Sequence, residues 1–268
     1  MPDVRDPAIA GTFYPAEPEQ LRKQVDDLVA GNPDPAARPA APKGLIVPHA
    51  GYMYSGPVAA TAYARLAPAR DRIRRVVLLG PSHHVPFRGL AASSADAFRT
   101  PLGRIPLDTE GVRAALRQSG VQTLDAAHGR EHSLEAQLPF LQRMLADFSL
   151  LPLVVGAAEP GQVGRVLEAL WGGPETLIVI SSDLSHFLDY ATAGTLDATT
   201  ARAIEALDGA GITHEHACGY QPVRGLLRIA ARRRSRLQTL DLRSSGDAGA
   251  PLDRVVGYGA FALEESGA

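Results

Sequence analysis

One stretch constrains this chain more than any other: Arg75-Val76-Val77-Leu78-Leu79-Gly80-Pro81-Ser82-His83-His84. A short apolar run, rich in branched side chains and closed by Gly-Pro-Ser, predicts a fully buried strand. The turn then sets two adjacent imidazoles at the strand's carboxyl end. In open α/β sheets that edge is where ligand crevices form. Leu45-Ile46-Val47 leads to Pro48-His49 in the same way, and Leu177-Ile178-Val179-Ile180 leads to Ser181-Ser182-Asp183. Leu150 to Gly156 follows the pattern less clearly. The polar tips of these strands are expected to converge.

Helical patterns alternate with these runs. Gln20 to Leu28 has Leu21, Val25 and Leu28 on one face. Pro57 to Leu66 follows Ser55, a cap residue, with Pro in the first turn. Thr109 is expected to cap a helix to Ser119, and Ser133 one striped by Leu134, Leu138, Leu141 and Leu145. Further helices are read at Gly161–Leu170, at about Thr192–Leu207, and from Cys218-Gly219-Tyr220-Gln221-Pro222 to about Arg232. Leu90–Ser94 and Arg104–Leu107 read as short strands around an excursion. Leu237–Ser244 and Val255–Leu263 read as closing strands, the former without clean alternation. Asn32 to Pro42, rich in Pro and Ala, reads as a surface loop. Strands alternating with helices predict one α/β domain over 1–268: a three-layer α/β/α sandwich with a mainly parallel or mixed central sheet.

Charge narrows the function classes. Lys and Arg number 27 against 29 Asp and Glu, which gives no electrostatic case for nucleic acid. A single cysteine excludes an internal disulfide and fits a reducing compartment. The start has no basic-then-apolar leader pattern, and no apolar run reaches the ~20 residues of a bilayer span. The chain therefore reads as cytoplasmic, with no membrane partner. No glycine-rich phosphate loop is present.

The residues that can carry chemistry sit at the strand tips. His49, His83 and His84 are either ligands to iron, copper or zinc, or hydrogen-bonding loop residues. In Asp183-Leu184-Ser185-His186, Asp and His three apart can face one way in a helical turn, so that Asp183 orients His186 for proton transfer. The alternative there is a helix cap by Ser182 or Asp183. Cys218 precedes a predicted helix, whose N-terminus favours thiolate. His132 and Glu135 share a spacing used by metal-binding helices. Glu131 is read instead as an acidic residue favouring a helix dipole.

Taken in order, these blocks resemble the Memo family, whose bacterial members carry the name AmmeMemoRadiSam system protein B. The resemblance rests on Ala10-Gly11-Thr12-Phe13-Tyr14-Pro15, Pro48-His49-Ala50-Gly51-Tyr52-Met53-Tyr54-Ser55-Gly56, Leu79-Gly80-Pro81-Ser82-His83-His84, Glu131-His132-Ser133-Leu134-Glu135, Ser181-Ser182-Asp183-Leu184-Ser185-His186 and Cys218-Gly219. It implies a fold similar to class III extradiol dioxygenases, which hold Fe(II) by two His and one Glu. It also implies a pocket lined by His49, His83, Asp183, His186 and Cys218. Cys218 looks to stand where those enzymes place a carboxylate, which opens the site to copper as well as iron. The family name further implies radical-SAM and AMMECR1-like pathway partners.

Three functions follow as expectations. The first is a dioxygenase-like metal-dependent oxidoreductase. There His49, His83 and Cys218 bind Fe2+, with copper as the alternative. His186 and Asp183 move protons, while His84, His132, Tyr54 and Ser182 face the substrate or support the ligands. The second is a binding module that holds a metal, small molecule or peptide without turnover. The third is a hydrolase with Cys218 as nucleophile.

Overall fold

Four runs of apolar residues build the centre of the molecule. Gly44–Val47, Thr176–Ser181, Arg75–Pro81 and Ser149–Val155 lie side by side in that order, all parallel. Val255–Glu264 continues the sheet antiparallel to Gly44–Val47, and Leu90–Ala92 continues it antiparallel to Ser149–Val155. The sheet is therefore mixed, with a parallel centre. A strand buried on both faces must be apolar at odd and even positions alike. Leu45, Val47, Val76, Leu78, Leu177 and Val179 point to one face, and Ile46, Val77, Leu79, Ile178 and Ile180 to the other.

Helices cover both faces and make the three layers. Pro18–Ala30, Tyr52–Tyr63 and Leu138–Met144 pack on the first face. Thr109–Leu116, Pro160–Leu170, Tyr190–Glu205 and Tyr220–Arg233 pack on the second. The computed structural model describes residues 3–32 and 41–265. Most of the loop expected at Asn32–Pro42 thus lies outside the described residues. No helix among them is long and apolar enough to cross a membrane.

Several local expectations need correction. The helix expected from Pro57 begins at Tyr52, and Pro57 lies inside it. Tyr52 N–H donates to the Phe13 carbonyl at 2.8 Å, so a distant segment satisfies the helix start. Ser55 Oγ donates to the Ala50 carbonyl instead of capping. Asp108, not Thr109, caps the next helix by accepting from Gly111 N–H at 2.9 Å. Ser133 opens no helix: a short 3₁₀ turn, Glu135–Gln137, comes first. The excursion before Arg104 holds a strand, Ala97–Thr100, which pairs with Gly103–Pro106 and with Val4–Arg5. The missing alternation around Thr239 has a cause, since the register shifts between Thr239 and Asp241 where the strand bulges. His186–Leu188 is a strand rather than a helical turn, paired antiparallel to the start of Val255–Glu264.

Glu135 ties the amino-terminal segment to this frame. Its carboxylate is fully buried and accepts from Arg5, from Ala8 N–H at 2.8 Å, Ile9 N–H at 3.0 Å and Tyr14 OH at 2.6 Å. Arg5 also donates to the carbonyls of His128 and Glu131. A buried charge stripped of its partner is costly. Glu135→Ala is expected to lower stability by about 3–5 kcal/mol, read as a lower urea midpoint.

His128 gives the fold a pH dependence. Its Nε2–H donates to the Ala91 carbonyl at 3.0 Å, and its Nδ1 has no partner among the described residues. Burial, aided by the Arg5 charge, pushes its pKa down to about 4. A depressed histidine favours the folded state while neutral. That contribution is present above the unfolded value of ~6.5 and is lost as pH falls through about 4. His128→Leu is expected to flatten this acid limb. The wild-type loss between pH 7 and 4 should exceed the variant's by on the order of 3 kcal/mol in denaturant titrations.

Candidate metal centre

Strand order brings the site together. Thr176–Ser181 lies between Gly44–Val47 and Arg75–Pro81, with Val47 opposite Ser181 and Leu79 opposite Ile180. Parallel strands in that register end at one level. The residues just beyond, His49, Asp183 and His83, therefore leave the sheet at the same edge. The loop before the 3₁₀ turn closes over them and adds His132. Ser133 Oγ donates to the Pro81 carbonyl at 2.9 Å, which fastens this loop to the strand tip. Gly80 leaves the space it needs, since a Cβ there would stand 2.6 Å from Ser133 Oγ.

The imidazoles of His49, His83 and His132 offer ligand atoms within 4.8 Å of one another, a spacing suited to a metal ion. Their exposure is graded: His49 is buried, His132 half-buried and His83 open to solvent. The rings of His83 and His132 stack at 4.3 Å with 27° between planes, while His49 meets each edge-on.

Hydrogen bonding decides which nitrogen of each ring is free. Ser181 Oγ donates its proton to the Ser133 carbonyl at 2.6 Å and accepts from Gln137 Nε2 at 2.8 Å. Its contact with His49 Nδ1, at 2.9 Å, is then one in which the imidazole donates. His49 carries its proton on Nδ1 and keeps a lone pair on Nε2. His83 Nδ1–H donates to Glu131 Oε1 at 2.8 Å, which likewise frees Nε2. Partners of this kind orient metal-ligating histidines.

Glu131 is the residue that sequence reasoning assigned wrongly. It is 2% exposed and accepts from the His83 backbone at 2.6 Å and from Ser133 N–H at 2.9 Å as well as from the ring. Burial alone would raise its pKa, but these bonds, with the His83 ring beside it, hold it well below the usual carboxylate range. Burial, with His49 and His83 close by, pushes His132 down to about 4. Burial and His83 also push His49 well down. Both resist protonation and stay available as neutral ligands. Gln137 was missed as well. The one signal for Gln137 is an amide amid apolar residues just before Leu138.

The remaining candidates are placed as follows. Asp183 Oδ1 accepts from His49 N–H at 2.7 Å, and burial raises its pKa. It does not orient His186, whose Nδ1–H donates to the Leu184 carbonyl at 2.9 Å. Leu184 N–H and the Ser185 carbonyl instead bond to Gly257, which keeps the segment out of a helical turn. His186 still acts electrostatically on His49 and Asp183. Cys218 Sγ lies 3.4 Å from His49 Nε2. Burial, then the nearby Asp183, pushes the thiol up rather than down, against the expectation from the helix N-terminus. Ser182 Oγ donates to the Asp183 carbonyl and accepts from Gly219 N–H, which seats the Cys218 segment. His84 is exposed and meets His132 edge-on at 5.9 Å. Tyr54 and Asp183 both act on the buried phenol of Tyr258, whose pKa burial chiefly raises.

Comparison with known proteins identifies the family. The family described as Memo-like protein matches residues 5–262. A MEMO1 family protein of Methanopyrus kandleri is 35% identical over 96% of this chain and 98% of its own length. One from Aquifex aeolicus is 36% identical over 95% of this chain and 97% of its own. Among solved structures, an uncharacterized protein of Escherichia coli K12 covers 82% of this chain and 98% of its own at 14% identity, with a TM-score of 0.48. With five of the six ordered sequence blocks gathered at one sheet edge and a family match over nearly the whole chain, the protein belongs to the Memo-like family.

Proposed function

We propose that this protein is a metal-dependent redox protein that binds Fe2+, with copper as the alternative, through His49, His83 and Cys218. The supporting observation is the separation of Cys218 Sγ from His49 Nε2, 3.4 Å. A nitrogen at ~2.1 Å and a sulfur at ~2.3 Å from one tetrahedral ion stand about that far apart. The donor set fits such an ion. The lone pairs on Nε2 of His49 and His83 are free, and the thiol can give up its proton when metal binds.

His132 is also near enough to serve. Its ring is stacked on that of His83, however, and stacked rings present parallel rather than converging lone pairs. In this reading it steadies His83 and lines the ligand side. When bound, the metal would supply open positions for dioxygen and a small substrate. His186, its Nδ1–H held on a carbonyl, keeps Nε2 to take or give a proton. Asp183 holds the His49 backbone. The raised thiol of Cys218 gives no support to a cysteine hydrolase.

Anaerobic loading followed by metal analysis tests the assignment. One iron per chain is expected in the wild type and in His132→Ala, with the iron lost from His49→Ala and Cys218→Ser. A wild type without bound iron or copper, or a His49→Ala variant that loads fully, would overturn it.

The support behind His83 should be visible as affinity. Glu131→Gln keeps the shape but removes the charge that receives the His83 Nδ1–H. Competition with a chromophoric chelator is expected to show metal affinity lower by about 10–100-fold.

A further inference from the structure

Beside His186 the backbone holds a bulky residue where bulky residues are rarely found. Phe187 has φ of 62°, in the left-handed region. It is the extra residue of a bulge: His186 pairs with Val256 and Leu188 with Val255, so Phe187 has no counterpart. Bulges of this kind re-aim side chains and collect beside working sites. The redirected ring gains little from burial, being 59% exposed. Strain held without burial calls for another explanation than stability.

The ring has one close polar neighbour. The guanidinium carbon of Arg254 lies 4.4 Å from its centroid. Arg254 is exposed, and among the described residues no carboxylate forms an ion pair with it. A guanidinium over an aromatic face keeps its N–H donors around its edge, where they suit a carboxylate. Phe187 also meets the His186 ring edge-on at 5.6 Å, which joins the pair to the proposed proton-transfer residue.

We propose that Phe187 and Arg254 form a binding subsite for an organic carboxylate, with the ligand's flat apolar body against Phe187 and its charge on Arg254. The subsite deepens the reading above, naming the substrate class of the same centre and rests on it. The pair stands on a different segment from His49, His83 and Cys218, so iron content reports the metal reading separately.

Benzoate and its neutral analogue benzamide are the probes, titrated into the full chain by calorimetry. The wild type is expected to prefer benzoate by about tenfold. Arg254→Gln should erase that preference, and Phe187→Gly should weaken both probes without lowering Tm, because glycine accepts the backbone angle freely. Equal binding of the two probes by the wild type would overturn the proposal. So would a preference that survives Arg254→Gln, or a Phe187→Gly variant whose Tm falls by several degrees.

Discussion

Ser181 has one hydroxyl proton, and the Ser133 carbonyl receives it. That small fact sets the chemistry of the whole edge. With its proton committed and Gln137 donating to it, the Ser181 oxygen can only accept from His49. The imidazole is fixed in one tautomer and one orientation. The same bond reaches the loop of Glu131 and His132, and Gln137 also donates to the Pro48 carbonyl at 2.9 Å. Two strand tips and a distant loop are thus bound through one buried cluster. Buried polar groups of this kind are stable only when every member is satisfied, so the cluster holds as a unit or not at all.

The sheet supplies the rest. Its central strands pack side chains on both faces, which leaves no polar group free except at their ends. Inserting Thr176–Ser181 between two earlier strands places serine and aspartate between the two histidine-bearing tips. Helices on both faces hold those tips still, and the graded exposure of the three histidines opens one side to ligands. A rigid frame with a single open side is what precise placement of reacting groups requires.

The strands were legible because their signal is local. A continuous apolar run ended by Gly-Pro or Ser-Ser has few other folds available. His49 and His83 were legible as polar tips because each follows a buried strand, whereas grouping them with Cys218 rested on the family resemblance. Glu131 was not legible, because its role comes from His83, 48 residues earlier in sequence. The start of the Tyr52 helix was misplaced for the same reason, its first N–H being satisfied from Phe13. Asp183 and His186 show the limit of spacing arguments. Three residues apart means one face on a helix, but hydrogen bonds to Gly257 keep that segment out of a helix. The bulge at Phe187 left no mark in the sequence, because nothing local distinguishes it.

Gly80 has a wider consequence. With no room for even a methyl group between this strand and Ser133, the side chains of Ser133 and Leu134 lie directly against the Gly80 main chain where the loop crosses. The approach of the His132 loop to the His83 strand is then set by this contact. A cation lodged there would meet two segments already pressed together, with the ring torsions left to adapt to its radius.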